Sequence, residues 1–382
     1  MKTNKFLALV AVPALLFGVS SCKDDDVTLP ADYEQTPEGG TVKDGVAGMY
    51  LLNEGNMGSN KCTLDFLDFS TGYYARNIYP ERNPEEVLEL GDTGSDELVY
   101  DGRLFISVGG SNKVEVLDAA SAVKTGKVDI SNAGKLAAGD GYVYVGSYTG
   151  GYQIDPDVNA GTIYKIDPKT LSVAGTLVTP YWPEGMAVSG GKLFVATSGS
   201  VSSTEYPANS VLVVNPADMT VEKTIEVGPN LNMLKADDAG NIWVSSRGDY
   251  MSQPSRLYCI KIMTDEVKEI PVACTEFALY GGKLYLYSTV WSYVTSSNEI
   301  NYNVVDMASC AVMPGSFLAE GSEKEISTPY GIAINPANGD IYISDAKNYT
   351  SSGSLVCFNN AGIKKWSVKT GDIPGHMIFF KR

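Results

Sequence analysis

Gly191-Lys192-Leu193-Phe194-Val195-Ala196-Thr197 is the stretch on which the fold turns. A glycine opens it. An apolar residue, an aromatic and an aliphatic follow after one step, and a small or polar residue ends it. The same order returns as GRLFISV from Gly102, GYVYVGS from Gly141, GNIWVSS from Gly240, GKLYLYS from Gly282 and GDIYISD from Gly339, with a looser copy, GMYLLNE, from Gly48. Copies at this spacing mark propeller blades rather than helical solenoids.

Each copy sits in a four-strand unit. Around Gly191, Glu184 to Val188 reads as a short apolar strand and Gly190-Gly191 as a tight turn. Lys192 to Thr197 is the signature strand, Ser210 to Asn215 a third, and Val221 to Val227 a fourth after the Pro216-Ala217-Asp218 turn. Period-two alternation with Gly, Asn, Asp and Pro punctuation marks half-buried strands. The first unit lacks a strand before Gly48, and the chain ends on an unpaired one, Pro374 to Phe380. That tail matches the innermost-strand patterns at Pro183 to Val188 and Pro329 to Ile334. The expected fold is therefore all-β: a seven-bladed propeller of four-stranded blades over residues 45–382, its C-terminal strand closing the first blade and removing a free sheet edge.

Loop lengths are lopsided. Turns between first and second strands are short, as at Asp101-Gly102 and Gly281-Gly282. Loops between second and third strands are long: Tyr148 to Ala160, Gly199 to Asn209, Arg247 to Pro254, Val290 to Glu299 and Lys347 to Ser352. In a propeller these emerge on one face together with the blade-to-blade loops, such as Tyr79 to Asp92. Function concentrates on loops held by a rigid scaffold. This face carries Tyr79, Tyr148, Tyr152, Tyr181, Trp182, Tyr206, Arg247, Tyr250, Trp291, Tyr293, Tyr302, Tyr330 and Tyr349, interleaved with Ser, Asn and Gly. Rigid amphipathic rings among small hydrogen-bonding residues suit a ligand-binding surface.

The N-terminus reads as a targeting segment: Lys2 and Lys5, then an apolar run from Phe6 to Val19, too short to span a bilayer comfortably. Ser20-Ser21-Cys22 at its end resembles a bacterial lipobox, which implies a signal peptide over residues 1–21 and lipidation of Cys22. An ordinary cleavage site beside a chance cysteine is the other reading. Lys23-Asp24-Asp25-Asp26 resembles the acidic surface-export signal of Bacteroidetes lipoproteins, and residues 22–44 read as a flexible acidic tether. The chain carries 29 basic and 45 acidic residues; without Lys2 and Lys5, 27 basic residues remain and the net charge is −18. With no basic stripe, nucleic acid is excluded as a partner class.

Chemistry-bearing motifs are sparse. Cys62, Cys259, Cys274, Cys310 and Cys357 form no metal spacing and read as buried small hydrophobes, with one disulfide left open. His376 is the single histidine, and the sequence offers neither a Ser-His-Asp set nor an HExxH zinc site. It reads first as a satisfied structural residue and second as a channel-facing one. Glu54, Asp92 and Asp96 fall near the channel mouth and keep a glycosidase pair open. Asp155-Pro156-Asp157-Val158-Asn159-Ala160-Gly161 resembles the start of a calcium loop, but its glycine falls one place late and Ile166 stands where a bidentate glutamate belongs. A plain Asx-rich turn is its other reading.

The repeat resembles the YncE-like propeller group. Leu51 to Asn60 (LLNEGNMGSN), Thr63-Leu64-Asp65, Arg76 to Tyr79, Glu89 to Asp92 and Ser111 to Val116 further resemble the BtuG-type surface lipoproteins of gut Bacteroidetes. That resemblance implies capture of cobalamin or a related corrinoid at the cell surface, with handover to a TonB-dependent outer-membrane transporter of the BtuB type. It adds Asn53, Asn56, Asn60 and Asn112 to the candidate ligand-binding residues. It implies no catalytic group, no catalytic cofactor and no protein-bound metal. A glycan-binding or glycan-active propeller and a protein-interaction scaffold stand as the competing classes.

Overall fold

The structure is a computed structural model that describes residues 31–86, 89–148, 161–199, 209–249, 252–292 and 297–382. These form seven antiparallel sheets arranged as a seven-bladed propeller. Blade 4 shows the plan: Trp182–Ser189 innermost, then Lys192–Ser198, Ser210–Asn215 and Thr220–Glu226. The turns from innermost to second strand have positive φ at both positions, 49° and 73° at Asp101-Gly102 and 58° and 74° at Gly281-Gly282. That backbone matches the right-handed twist of a two-residue hairpin, and glycine at the second position adopts it without strain.

The signature aromatic of each blade has one job. Tyr50, Phe105, Tyr144, Phe194, Trp243, Tyr285 and Tyr342 each enter the hydrophobic layer shared with the next blade around the ring. Seven such layers fill the seven seams. A small chain of blades thus becomes one domain, because each sheet buries both faces against its neighbours. The five described cysteines are all free and buried, in agreement with their apolar surroundings.

Ring closure follows the expected route. The last strand, Pro374–Lys381, pairs with Val46–Asn53 as the innermost strand of blade 1. Blade 1 departs from the four-strand plan: Asp32–Gln35 adds a fifth, outermost strand on Tyr73–Arg76. Residues 31–44, expected as tether, are therefore docked. The reason lies far away in sequence. Fully buried Glu38 accepts hydrogen bonds from Lys365 Nζ at 2.7 Å and Trp366 Nε1 at 2.8 Å, and Lys365 also reaches Asp340 at 2.7 Å.

Candidate functional site

Six of the seven innermost strands break register near their first residues. The skipped residues are Ser95, Gly134 and Lys135, Glu184 and Gly185, Asn232 and Met233, Tyr330, and Gly375. A bulge leaves residues unpaired and re-aims their side chains. Here every one of them lines the axial cavity or its mouth. The polar residue that ends the blade signature accounts for some of the freed backbone groups. Ser107 Oγ donates to Asp96 O at 3.2 Å, and Ser344 Oγ donates to Pro374 O at 2.6 Å while accepting from Gly331 N at 2.8 Å.

The axial chamber has a volume of about 460 Å³. Its charged groups include Glu54, Asp96, Glu97, Lys135, Lys235, Arg247, Glu276 and His376. His376 Nε2 lies 3.0 Å from Glu54 Oε1 and its Nδ1 lies 3.5 Å from Asp96 Oδ1. Tyr330 donates its hydroxyl to Glu54 Oε2 at 2.8 Å. Burial pushes the Glu54 carboxyl up, but the hydrogen bond and charge of His376, with Lys135 and Tyr330, outweigh it and hold the group below the ordinary glutamate range. In Glu276, Lys235 and Glu97 burial wins instead and disfavours the charged form. Burial raises Glu276 despite Lys235, and lowers Lys235 despite Glu276 and Asp96. Glu97 is raised well above its usual value by burial and then by Asp96. The Leu52 and Ile378 amides offset part of this, but neither makes a full hydrogen bond, and both Glu97 oxygens are unpartnered.

The mouth opens on the long-loop face. It is lined by residues at the starts of innermost strands, such as Gly94 and Trp182, and at the ends of second strands, such as Tyr148 and Arg247. Buried Glu184 organises one side of it. It accepts from Tyr148 Oη at 3.2 Å, Ser198 Oγ at 2.9 Å and Arg247 Nη1 at 3.2 Å, while Arg247 Nη2 donates to Asn232 Oδ1 at 2.6 Å. Opposite, the Tyr330 and Tyr349 rings meet edge to face, 5.8 Å between centroids. Chamber and mouth share Glu54, Lys135 and Arg247, so they form one funnel. Its lining of donors, acceptors, both charge signs and aromatic rings can hold a polar ligand with apolar faces.

Of the expected site residues, Tyr148, Trp182, Arg247, Tyr330 and Tyr349 come together around this funnel. Asn56, Asn60, Asn112 and Tyr181 lie on the same face outside the cavity lining. Asn60 and Asn112 are exposed turn residues of positive φ. Asn53, Tyr79 and Tyr302 are core residues: Asn53 bonds Thr63 and is fully buried, Tyr79 donates to Glu115 at 3.3 Å, and Tyr302 is buried with its ring against Phe317. Tyr152, Tyr206, Tyr250, Tyr293, Cys22 and residues 155–160 of the calcium-like stretch lie outside the described residues, as does the side chain of Trp291. His376 is both satisfied and channel-facing. Glu184 and Lys135 were not expected there, since alternation does not say where a bulge turns a side chain.

Structures of known proteins share the fold. A quinoprotein alcohol dehydrogenase-like protein from Bacteroides thetaiotaomicron is 15% identical with a TM-score of 0.60, covering 87% of this chain and 78% of that one. A candidate 6-phosphogluconolactonase from Bacteroides fragilis is 12% identical with a TM-score of 0.59, covering 89% and 100%. Hydrazine synthase of Kuenenia stuttgartiensis is 14% identical with a TM-score of 0.54, covering 72% and 85%. At these identities the likeness is one of fold. No curated protein matches the chain by sequence. A domain of unknown function, DUF5074, matches residues 47–379, the whole propeller but its outermost ends, and the chain belongs to that family.

Proposed function

We propose that this chain is a cell-surface lipoprotein that binds a corrinoid, cobalamin or a close relative, in the funnel and passes it to a TonB-dependent outer-membrane transporter, catalysing no reaction. The observation that carries the reading is the continuous funnel on the long-loop face, with rings at its mouth and hydrogen-bonding groups below. A corrinoid is a broad disc with apolar faces and an amide rim. Tyr330, Tyr349 and Trp182 suit the faces, and Arg247, Asn232 and the channel carboxylates suit the amides.

Strand polarity fits an anchor on the mouth side of the propeller. Asp32 pairs with Arg76 at the mouth end of blade 1 and the strand runs away from the mouth to Gln35. The chain therefore reaches the propeller from the mouth side. A lipid on Cys22, ten residues earlier, would hold Asp32, on the outermost strand of blade 1, within about 35 Å of the membrane, at ~3.5 Å per extended residue. The test is co-migration of visible corrinoid absorbance with purified protein on gel filtration. Failure to bind at millimolar cobalamin overturns the reading.

A second reading draws on the carboxyl groups in the channel, Glu54, Asp96 and Glu276: hydrolysis of a glycan by an acid and a base. Release of reducing sugar from an oligosaccharide panel, abolished by Glu54→Gln, would favour it over binding.

A further inference from the structure

Beside the axial chamber, where the mouth-side ends of blades 2, 3 and 4 meet, lies a second cavity of about 220 Å³. The Trp182 and Tyr148 rings, packed edge to face with centroids 5.3 Å apart, form one part of its lining. Ala133, Thr93 and Ser95 form another, and Met57 stands at the lip. Met57 is 67% exposed. A single exposed methionine needs no explanation by itself. This one sits on a fixed turn above an apolar cavity. Gly58 N and Asn60 N donate to the two oxygens of Asp92 at 2.8 and 3.3 Å, Ser59 N donates to Asn56 O at 2.9 Å, and Gly94 N donates to Glu54 O at 2.9 Å. The same turn that delivers Glu54 to the channel thus holds a thioether over the slot.

We propose that this slot binds a flat, largely apolar ring, up to a fused bicycle in size, carried by the ligand whose polar body fills the funnel. A cavity of about 150 Å³ accepts benzene, so 220 Å³ leaves room for a second fused ring. The Trp182 and Tyr148 rings and the small wall residues suit an aromatic occupant, and the polarizable Met57 sulfur closes on it. On that wall the Ser95 hydroxyl offers a ring nitrogen a polar side-chain partner, while Thr93 Oγ1 donates to Asp92 Oδ1 at 3.3 Å and the Asn132 amide donates to Tyr148 O at 3.1 Å. Thr93, Ser95, Tyr148 and Trp182 also line the funnel mouth, so ring and body occupy continuous space.

The identity of the ring rests on the corrinoid reading: cobalamin carries a dimethylbenzimidazole base, and cobinamide lacks it. Calorimetry with both ligands on the full mature chain tests it. Wild type should bind cobalamin more tightly than cobinamide. Met57→Ala should weaken cobalamin about tenfold, the upper end of a methionine–ring contact, and leave cobinamide within about twofold. Equal loss for both ligands overturns the slot. If neither corrinoid binds, the functional reading fails and the slot is judged separately: free dimethylbenzimidazole at millimolar concentration should show ligand-observed NMR line broadening that Met57→Lys abolishes. Broadening that is absent, or unchanged in Met57→Lys, overturns it. Met57 is solvent-exposed, so these variants leave the fold intact.

Discussion

His376 and Glu54 meet at 3.0 Å across 322 residues of chain, the imidazole on the last strand and the carboxylate just past the second strand of the first blade. The contact lies where the ring closes and where the axial chamber begins. One pair therefore ties the closure of the fold to the lining of the funnel. Glu54 also draws in Tyr330 from blade 7, so the three innermost groups of two adjacent blades form one network.

Because Glu54 is held below its ordinary value of 4.5 in the folded chain, its contribution to stability is present above about pH 4.5 and is lost as pH falls through the lower folded value. His376→Ala should cost on the order of 1–3 kcal/mol near neutral pH, the range for a lost hydrogen bond to a charged group. Urea denaturation at pH 7 and at successive steps below pH 4.5 checks the size of the loss and the narrowing of the gap between wild type and variant as Glu54 is protonated.

Glu97 should behave in the opposite sense. Burial raises its carboxyl in the folded chain, so folding binds a proton there, and the cost grows as pH climbs above the unfolded value of 4.5. Glu97→Gln should therefore match or exceed wild-type stability at pH 8, with the difference vanishing by pH 4. A variant less stable than wild type at pH 8 and equal at pH 4 would mean that the ionised carboxylate is favourable in the fold.

The blade count, the closing strand and the loop-rich face were legible because each rests on local pattern: a glycine turn, a seam aromatic such as Phe194, period-two alternation. The site was legible only in part. Tyr148, Trp182, Tyr330 and Tyr349 could be placed on a face, but Tyr79, in the connection between blades 1 and 2, sits in a short helix, Ile78–Arg82, and turns inward to Glu115. Glu184 and Lys135 sit in bulges, where alternation fails and direction follows from the neighbouring strand. The strap over residues 31–44 was hidden because its partners, Lys365 and Trp366, are more than three hundred residues away.

That strap gives a third prediction. Lys365 sits between Glu38 and Asp340, 2.7 Å from each carboxylate. Lys365→Met would leave two carboxylates facing one another with the cation removed. Because the Lys365 side chain reaches solvent while Glu38 and Asp340 are buried, the loss should be about 1–3 kcal/mol, below that for a fully buried pair. Limited proteolysis should then cut within residues 31–44 while the remaining blades stay resistant, and hydrogen exchange should rise along Tyr73–Arg76, the strand the strap covers.

Tyr349 separates ligand contact from stability. It is 45% exposed, and its ring leans on Tyr330 at the funnel edge. Tyr349→Ala should change unfolding free energy by about 1 kcal/mol or less, as for an exposed side chain with one ring contact. Under the corrinoid reading it should weaken cobalamin by about tenfold, the loss of one stacking face. Calorimetry and urea denaturation on the same preparation read the two effects independently.

Two bulge glycines make the sharpest contrast. At Gly185 an added Cβ would stand 2.3 Å from Leu234 N, 2.6 Å from Asn232 O and 2.9 Å from Met233 C, all backbone of the next innermost strand. Backbone cannot rotate away as a side chain can, so Gly185→Ala must push blades 4 and 5 apart at the axis. At Gly134 the corresponding atom meets Gly146 O at 3.2 Å and the Tyr148 ring at 3.4 Å, contacts that a small shift relieves. Gly185→Ala should therefore cost about 1–3 kcal/mol or more, and Gly134→Ala distinctly less. The displacement at Asn232 should also loosen its 2.6 Å bond to Arg247, so ligand binding should fall in Gly185→Ala beyond what the stability loss explains. Denaturation curves for the two variants, with hydrogen exchange at Leu231–Ala236, decide whether the close approach of innermost strands sets the shape of the funnel.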